Sequence, residues 1–380
     1  MLIGIDASRA NNEQKTGVEW YAWALIQELK KIIPSEHRVV LYTREPLRGE
    51  LGVLPDNWQE KVLKWPPRRL WTQVRLSFEM YRKAPDVLFV PAHVMPLVHP
   101  MRTIITIHDL GGVRFGAGYS LFERWYGVAS TRSALNGAHT QIVVPSQFTA
   151  AELHTLLGAP LERVRVVYNG YDSRIFNTDI SAERIVKVKR AYGLQERYVM
   201  SISRLEEKKN TLGIIKGFEL WCEKCEKKSA GSAKEWQLLL LGKPGYGYAD
   251  VAQTIEKSRY RGQIVRPGWV ESTDVPVLMK GAFTFLFPSF YEGFGIPAVE
   301  ALAVGTPVIA SYSGSLPEVC AEAALYVNPF KPAEIAAQIE LLSGDEALRQ
   351  TLIAAGIKRA QMFSWEKAAE EIKELILKKF

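Results

Sequence analysis

Short, wholly apolar runs alternate with amphipathic stretches along the first half of the chain. These runs predict strands at Leu2–Asp6, Arg38–Tyr42, Val87–Val90, Thr103–Ile107, Gln141–Val144 and Val164–Val167. Apolar positions at helical spacing predict helices over Val18–Ile33, Leu121–Leu135 and Gln147–Leu157, the last with Ser146 as its N-cap. Because the strands are continuously apolar and do not alternate, helices should cover both faces of their sheet, which indicates a parallel α/β domain.

The same pattern restarts after the turn sequence Asn169-Gly170-Tyr171-Asp172. Strands are expected at Tyr198–Ile202, Trp236–Leu241, Gln263–Val265, Phe283–Phe287, Pro307–Ala310 and Ala324–Val327, with helices between and after them. The sequence thus predicts an α/β protein of two doubly wound, Rossmann-like domains over residues 1–178 and 179–362, with a helix over residues 363–380 returning to the first domain. Such sheets bind ligands at the carboxyl ends of their strands, so a central cleft between the domains is the expected site.

Composition narrows the class of protein without fixing its activity. The 380 residues are 47% apolar and 23% charged, with a formal net charge of +7, as in an ordinary globular protein. Three cysteines form no disulfide framework, and no apolar run is long enough to cross a bilayer. We therefore expect a cytoplasmic protein that is at most peripheral to the inner face of the cell membrane.

One segment, Lys61–Lys83, concentrates the positive charge. It holds seven basic residues against the single acidic Glu79, with four aromatic residues among them. This mixture is typical of a surface for an anionic membrane or a phosphate-bearing acceptor, and equally of a solvated face with packed aromatic rings. Both interpretations stay open at this point.

The most informative segment for chemistry is Phe290–Glu300. Glu292 and Glu300 lie eight residues apart, with a glycine loop and a helix start between them. A glycine turn that leads into a helix presents N–H groups and the positive end of the helix dipole, which suit a pyrophosphate. Carboxylates suit the hydroxyl groups of a ribose or a sugar. The segment therefore suggests a nucleotide-sugar site.

A leaving nucleoside diphosphate also needs positive charge. The sequence contains no Asp-x-Asp pair to hold a metal, but Arg204 and Lys209 lie five residues apart between a strand and a helix. An Arg fork and a Lys charge at a strand end can clamp a pyrophosphate and stabilise the leaving group. A solvated Lys/Glu run is the alternative. The presence of the Glu292–Glu300 segment in the same half favours the clamp.

These motifs together resemble those of family 4 glycosyltransferases, the large retaining group with the GT-B fold. The resemblance covers nearly the whole chain and is carried by the Gly17 loop, Ile107–Leu110, Val144–Ser146, Tyr168–Asp172, Arg204 with Lys209, Glu292 with Glu300, Gly305–Ala310, Gly314–Glu318 and Phe363–Trp365. It implies hexosyl transfer from a nucleotide-diphosphate sugar to a glycan or lipid-linked saccharide. It implies no metal cofactor, and no nucleic acid is expected as a partner.

The resemblance also implies roles for single residues on the donor side. Glu300 would hold the ribose hydroxyls, and Glu292 would lie near the donor sugar, whose O3 would meet backbone N–H groups around Phe294, Gly295 and Ile296. The base would be recognised near Gly242, Lys243 and Gly268-Trp269-Val270, a region too variable to identify the base.

On the first domain, the resemblance places Gly17 beside the diphosphate and His108 against the donor sugar or phosphate. Each residue also has a purely structural explanation: Gly17 as a plain turn glycine, and His108 as a buried histidine at a strand end. Asp109 would bind the acceptor or simply cap the next turn. No carboxylate stands out as a nucleophile, so the implied mechanism is front-face substitution, in which the departing phosphate oxygen takes the acceptor's proton.

Three alternatives remain at the level of function. Gly293–Ala298 matches G-x-G-x-x-A after a strand, which is typical of a dinucleotide oxidoreductase. A GT-B-like sugar-nucleotide epimerase and a binding-only subunit share the donor-site motifs. Within the family, the sequences of Thr106–Leu110 and Tyr291–Gly295 resemble those of the mannosyltransferase-type members most. This favours GDP-mannose as the donor, and UDP-glucose and UDP-N-acetylglucosamine stay open as alternative donors.

Overall fold

A computed structural model describes residues 1–13, 15–67, 69–115, 118, 121–137, 139–268 and 270–378, with side chains at all of these except residues 121–124. The chain forms two compact units. The first comprises Met1–Gly170 together with Ser364–Phe380, and the second comprises Tyr171–Phe363. Within the part of the chain described, no helix is long and apolar enough to cross a membrane.

The first unit is built on a seven-stranded parallel sheet with the order β3-β2-β1-β4-β5-β6-β7. Its strands are β1 (Leu2–Asp6), β2 (Arg38–Thr43), β3 (Trp58–Val62), β4 (Val87–Val90), β5 (Thr103–Thr106), β6 (Thr140–Val144) and β7 (Val164–Val166). Its helices are α1 (Gly17–Ile32), a π-helical stretch (Trp71–Leu76) that runs directly into α2 (Ser77–Lys83), α3 (Gly111–Arg114), α4 (Leu121–Asn136) and α5 (Gln147–Leu157). The central strands are buried on both faces, as their apolar runs predict.

The C-terminal helix α14 (Trp365–Leu377) belongs to this first unit and packs on α1. The Ser364 hydroxyl caps it by accepting a hydrogen bond from the Lys367 N–H. Its inward positions, including Ala369 and Ile372, are fully buried. Gly170 is needed where the chain passes this helix, because a Cβ there would lie 2.2 Å from the backbone nitrogen of Trp365.

The second unit repeats the plan with a six-stranded parallel sheet in the order β10-β9-β8-β11-β12-β13. Its strands are β8 (Arg197–Ile202), β9 (Trp236–Leu241), β10 (Ile264–Val265), β11 (Thr284–Phe287), β12 (Val308–Ser311) and β13 (Ala324–Val327). Its helices are α6 (Ala182–Ala191), α7 (Thr211–Lys228), α8 (Tyr248–Lys257), α9 (Val275–Gly281), α10 (Ile296–Ala303), α11 (Leu316–Cys320), α12 (Pro332–Gly344) and α13 (Glu346–Ala360). Both sheets therefore have the doubly wound order in which the chain reverses direction beside the first strand. The prediction of two Rossmann-like folds is confirmed.

Five of the labelled elements are missing from the sequence prediction: β3, the helical segment Trp71–Lys83, α6, and the short helices α3 and α11. Strand β3 is an edge strand whose Gln59 and Glu60 are exposed, so it lacks the apolar run of a central strand. The helical segment has apolar residues on its outer side as well as its inner side, which hides the helical period. Helix α6 is short, polar and largely exposed, with Val188 as its one buried residue.

Candidate active site

The reversal of strand order in the second unit places two chain segments side by side. The loop after β8 carries Arg204 and Lys209, and the loop after β11 carries Glu292. Since β8 and β11 are neighbours in the sheet, both loops lie at its carboxyl edge, at the topological switch point where doubly wound sheets bind ligands.

Lys209 and Glu292 form a close ion pair at this edge. The Lys209 Nζ atom lies 2.7 Å from both Oε1 and Oε2 of Glu292. The two side chains are only 18% and 8% exposed, so the pair is largely shielded from water. Each charge therefore compensates the other, and their attraction offsets part of the desolvation cost of burying both.

Arg204 behaves differently from Lys209. Its side chain is 63% exposed, and its Nε atom lies 3.4 Å from Oε2 of Glu206. The structure shows no contact between Arg204 and Lys209 among the residues it describes. The two cations expected to act as one clamp therefore lie in different environments. Lys209 is held in a buried ion pair, whereas Arg204 lies at the surface, where its side chain has room to reorient.

Backbone contacts fix the two loops to each other. The Phe290 N–H donates to the Lys208 carbonyl at 3.0 Å. Asn210, with φ of +55°, caps α7 by accepting from the Gly213 N–H, and its amide donates to the carbonyls of Pro288 and Pro329 at 3.0 and 2.7 Å. Lys209 and Glu292 are therefore held by adjacent rigid backbone, as a preorganised site requires.

The glycine loop turns directly into helix α10. Gly295 has φ of +100°, a conformation that side chains other than glycine rarely adopt, and a Cβ there would lie 2.7 Å from Cδ2 of Leu316. Pro297 follows near the start of the helix, as its fixed φ favours. Phe294 is buried edge-on against Phe363, with ring centroids 5.4 Å apart, so its side chain belongs to the core and only its backbone could serve a ligand.

A third loop, after β12, is hydrogen-bonded to the glycine loop and holds it in place. The Ser315 hydroxyl lies 3.1 Å from the Glu292 carbonyl and 2.8 Å from the Phe294 carbonyl, and the Ser315 N–H also donates to Glu292. Gly314 has φ of +67°, and a Cβ there would lie 2.6 Å from the Glu292 carbonyl oxygen. Sequence reasoning used these two residues only as part of the family resemblance. The Gly-Ser pair just before a helix was the available signal of a tight turn.

Glu300 lies on α10 behind the glycine loop and is half-buried. It is the fifth helical residue, so it lies beyond the first turn, where the positive end of the helix dipole alone would favour a carboxylate. Burial, with a smaller contribution from the negative charge of Asp172, raises the pKa of Glu300 to about 8. Burial acts in the same direction on Asp172, but hydrogen bonds and charge from Arg174 outweigh it and hold the pKa of Asp172 below its usual value.

The region expected to recognise the base lies after β9 and β10. Gly242, with φ of +134°, approaches the loop after β8 so closely that a Cβ would lie 1.7 Å from the Ser203 carbonyl oxygen. The Leu205 N–H donates to the Lys243 carbonyl at 2.9 Å, which joins the same two loops. Val270 is half-buried, and Trp269 lies outside the described residues. Gly242 thus has a structural reason to be glycine, beside any role toward a base.

In the first unit, Gly17 is the first residue of α1 rather than part of a free loop. Thr16 and Glu19 form a capping box around it, with the Thr16 N–H donating to Glu19 at 3.1 Å. A Cβ at Gly17 would meet no described atom within 4 Å. Protein packing therefore gives no reason for glycine here, and the expected place beside a diphosphate stays a prediction.

His108 lies at the carboxyl end of β5 and is buried among rings. Its Nε2 atom is 3.2 Å from the Pro91 carbonyl, and its ring packs edge-on against Tyr21 and His93 with centroids 4.5 and 5.0 Å away. Burial, together with the charge that His93 can carry, lowers the pKa of His108 to about 3. His108 is therefore a neutral ring near physiological pH. Asp109 accepts from the Gly111 N–H at 2.8 Å, which fits a capping role.

Known families match both units. The family described as Glycosyltransferase Family 4 matches residues 15–174, and the one described as Glycosyl transferases group 1 matches residues 184–359. O-antigen chain mannosyltransferase B from Escherichia coli is 29% identical over 70% of this chain and 67% of its own length. Serotype-specific mannosyltransferase WbdA from Escherichia coli is 27% identical over 59% of this chain, but the match spans only 27% of that longer protein.

Solved structures share the fold at low sequence identity. WaaG, a glycosyltransferase involved in lipopolysaccharide biosynthesis, aligns over 100% of both chains with a TM-score of 0.76 and 14% identity. An Anabaena protein in complex with UDP-glucose aligns over 98% of both chains with a TM-score of 0.74 and 18% identity.

Two doubly wound sheets, with a cation–carboxylate pair and a glycine-led helix at the switch point of the second, are the GT-B architecture of a glycosyltransferase. The chain belongs to glycosyltransferase family 4, the group 1 glycosyl transferases. It is an enzyme, and the predictions of family and enzyme class are confirmed. The dinucleotide oxidoreductase suggested by Gly293–Ala298 is excluded, because that segment lies within the group 1 match.

Proposed function

We propose that the enzyme transfers mannose from GDP-mannose, with retention at the anomeric carbon and without a metal ion. The acceptor is a glycan or lipid-linked saccharide in the assembly of a cell-surface polysaccharide or glycoconjugate. In the reaction the bond from the anomeric carbon to the diphosphate oxygen breaks and a bond to the acceptor oxygen forms. The acceptor proton passes to the departing phosphate oxygen, and GDP leaves.

The observation that supports a donor site most directly is the Lys209–Glu292 pair beside the start of α10. A preformed positive charge, a carboxylate and a helix N-terminus at one sheet edge are the groups that a sugar diphosphate needs. Backbone N–H groups around Gly295 and Ile296 would meet the sugar, and Glu300 would accept hydrogen bonds from the ribose. Glu292 would orient the sugar from its fixed position.

Metal independence is supported by the cations at this edge. Arg204 is exposed, lies on the same loop as Lys209 and can turn toward a diphosphate that arrives there. An Arg fork bound to phosphate oxygens supplies the charge stabilisation that a divalent ion would otherwise bring. Glu292 holds Lys209 through both carboxylate oxygens, which suits a positioning group better than an attacking nucleophile. This role of Glu292 favours front-face substitution with retention.

The choice of mannose rests on the relatives that are mannosyltransferases. The UDP-glucose complex of the Anabaena protein makes UDP-glucose the first rival donor. A thermal-shift series with GDP-mannose, UDP-glucose and UDP-N-acetylglucosamine, each with and without EDTA, tests the donor and the metal together. The true donor should raise the melting temperature, because a ligand that binds only the folded state stabilises it by mass action. At a hundredfold excess over Kd this stabilisation is roughly 2.7 kcal/mol.

Product analysis then tests the reaction. Transfer to a mannoside acceptor, with proton NMR of the first product, should show the same anomeric configuration as the donor. A shift with UDP-glucose but not with GDP-mannose would overturn the donor assignment, and loss of the shift in EDTA would overturn metal independence. Donor isomerised without any acceptor would indicate an epimerase, and donor bound but unchanged would indicate a binding-only protein.

A further inference from the structure

The helical segment Trp71–Lys83 carries apolar residues on two opposite sides. Trp71, Leu76 and Met80 face inward and pack in the core of the first unit. On the other side, Leu70, Val74 and Phe78 are exposed at four-residue intervals, followed by exposed Tyr81. Helical residues three or four apart lie on one face, so Val74, Phe78 and Tyr81 form an outward stripe where a solvated helix would be polar, and exposed Leu70 directly precedes the helical segment.

A second chain segment extends this stripe. The Ser77 hydroxyl accepts hydrogen bonds from the N–H groups of Leu97 and Val98 at 2.8 and 3.3 Å, which holds that loop against the helix. Leu97 is 69% exposed, and Tyr81 is 78% exposed. We call the six side chains the outer face: Leu70, Val74, Phe78, Tyr81, Leu97 and Val98. Contiguous exposed apolar groups drawn from two segments mark a contact surface.

The charges on the helical segment and the residues just before it are almost all positive. Between Leu63 and Ala84 the sequence has one acidic residue, Glu79, which is buried and paired with Lys61 at 2.5 Å. Arg82 is exposed and lies over the Phe78 ring, 5.8 Å from its centroid. Exposed Lys83 follows it in the chain. The apolar stripe therefore carries cations that no exposed carboxylate on this segment neutralises.

We infer that the outer face binds the surface of an anionic lipid bilayer. Phenylalanine, leucine and valine can enter the boundary between headgroups and acyl chains, tyrosine suits the headgroup level, and Arg and Lys attract anionic lipid. A second copy of this chain fits poorly, because a two-fold contact would set these cations against themselves. The site is narrower than the segment Lys61–Lys83, since Lys61 pairs with Glu79 and Trp71 is buried. It also includes Leu97 and Val98, outside that segment.

Vesicle sedimentation tests this inference and needs neither donor nor acceptor, so it is independent of the proposed reaction. The intact protein should sediment at low salt with vesicles of phosphatidylcholine mixed with phosphatidylglycerol, bind phosphatidylcholine alone far less, and be released by salt. Arg82→Gln with Lys83→Gln should weaken partitioning about fivefold for each charge removed, or ~25-fold together. Phe78→Ser with Tyr81→Ser should weaken it at least as much.

Two control pairs make the result specific. Lys187→Gln with Arg190→Gln removes the same charge from exposed positions on α6, and Val53→Ser with Leu161→Ser removes exposed apolar groups elsewhere. Both should keep the vesicle binding of the original protein, and all variants should keep its melting temperature. The inference is overturned if the original protein does not bind anionic vesicles at low salt or if the control pairs lose as much binding. It is also overturned if the outer-face variants instead abolish a dimer seen in sedimentation equilibrium.

Discussion

The two units share one strand order but place different groups at the carboxyl edges of their sheets. In the second unit the edge beside the first strand holds a charged pair, Lys209 with Glu292. In the first unit His108 packs against the rings of Tyr21 and His93, and the ion pair after the first strand, Arg9 with Glu19, is looser at 3.5 Å, with an Arg9 side chain that is 54% exposed. The sheet thus provides a position for a site, and the loops that follow its strands decide what the position can bind.

Burial also acts in opposite directions on the titratable groups of the two units. It raises the pKa of Glu300 in the second unit to about 8 and lowers the pKa of His108 in the first to about 3. In both cases the uncharged form is favoured, because a low-dielectric environment disfavours charge of either sign. Opposite charges can instead be buried together, as Lys209 and Glu292 are, where each compensates the charge of the other.

The largest effect should come from the exposed cation of the charged edge. Arg204→Ala should lower turnover by on the order of 10²-fold or more, because it removes a stabiliser of the leaving diphosphate. Arg197→Ala, at the opposite end of the same strand β8, is the matched control and should leave turnover nearly unchanged. Steady-state kinetics with the donor found by thermal shift decides the matter. Equal turnover of the Arg204 variant and the original enzyme would show that the charged edge does not act through this residue.

The next effect concerns stability. Lys209→Met leaves Glu292 buried without its partner and should lower the free energy of unfolding by about 3 kcal/mol. The double variant Lys209→Met, Glu292→Leu should recover most of this loss, because no uncompensated charge remains. Arg165→Met, which breaks the exposed pair with Glu371, should have little effect. Urea unfolding measures all three, and equal losses in the single and double variants would contradict the buried-pair argument.

The general fold and the donor-side motifs could be predicted from the sequence because both depend on features of short, continuous segments. Apolar runs are local, and so are the five-residue spacing of Arg204 and Lys209 and the glycine turn before α10. The contacts that assemble the site are not local. Lys209 and Glu292 are 83 residues apart in the chain, and no spacing rule indicates that they pair.

The same limit explains what was missed in the first unit. His93 drew no attention in the sequence, yet it packs on His108 across 15 residues of chain and accepts the His108 N–H at 3.4 Å. Ser315 similarly contacts Glu292 across 23 residues. The helical segment Trp71–Lys83 was not predicted because its exposed apolar residues, such as Val74 and Phe78, remove the helical period that an inward apolar face alone would give.

A smaller, pH-dependent effect should come from Glu300. The folded protein keeps this proton up to about pH 8, whereas the unfolded chain releases it near 4.5, so the free energy of unfolding should fall as pH rises between these values. Glu300→Gln stays neutral and should be about 1 to 2 kcal/mol more stable than the original protein at the upper end of this range. Exposed Glu322→Gln is the control. Urea unfolding at several pH values should show the gap growing with pH, and a constant gap would show that Glu300 is ionised in the folded protein.

The smallest expected effect is an absence of change at His108, and it tests directly whether this buried ring stays uncharged. Because its folded pKa is about 3, the ring should not titrate between about pH 5 and 8, where an unperturbed histidine gains its proton. The sign for stability follows: the unfolded chain takes up the proton first, so His108 makes the folded state lose stability as pH falls from its ordinary pKa toward 3. Imidazole chemical shifts across this range, assigned by the loss of one signal in His108→Gln, should stay flat. An inflection within it would place a charge on His108 among the rings of His93 and Tyr21, and the contrast between the buried ion pair of the second unit and the uncharged His108 of the first would fail.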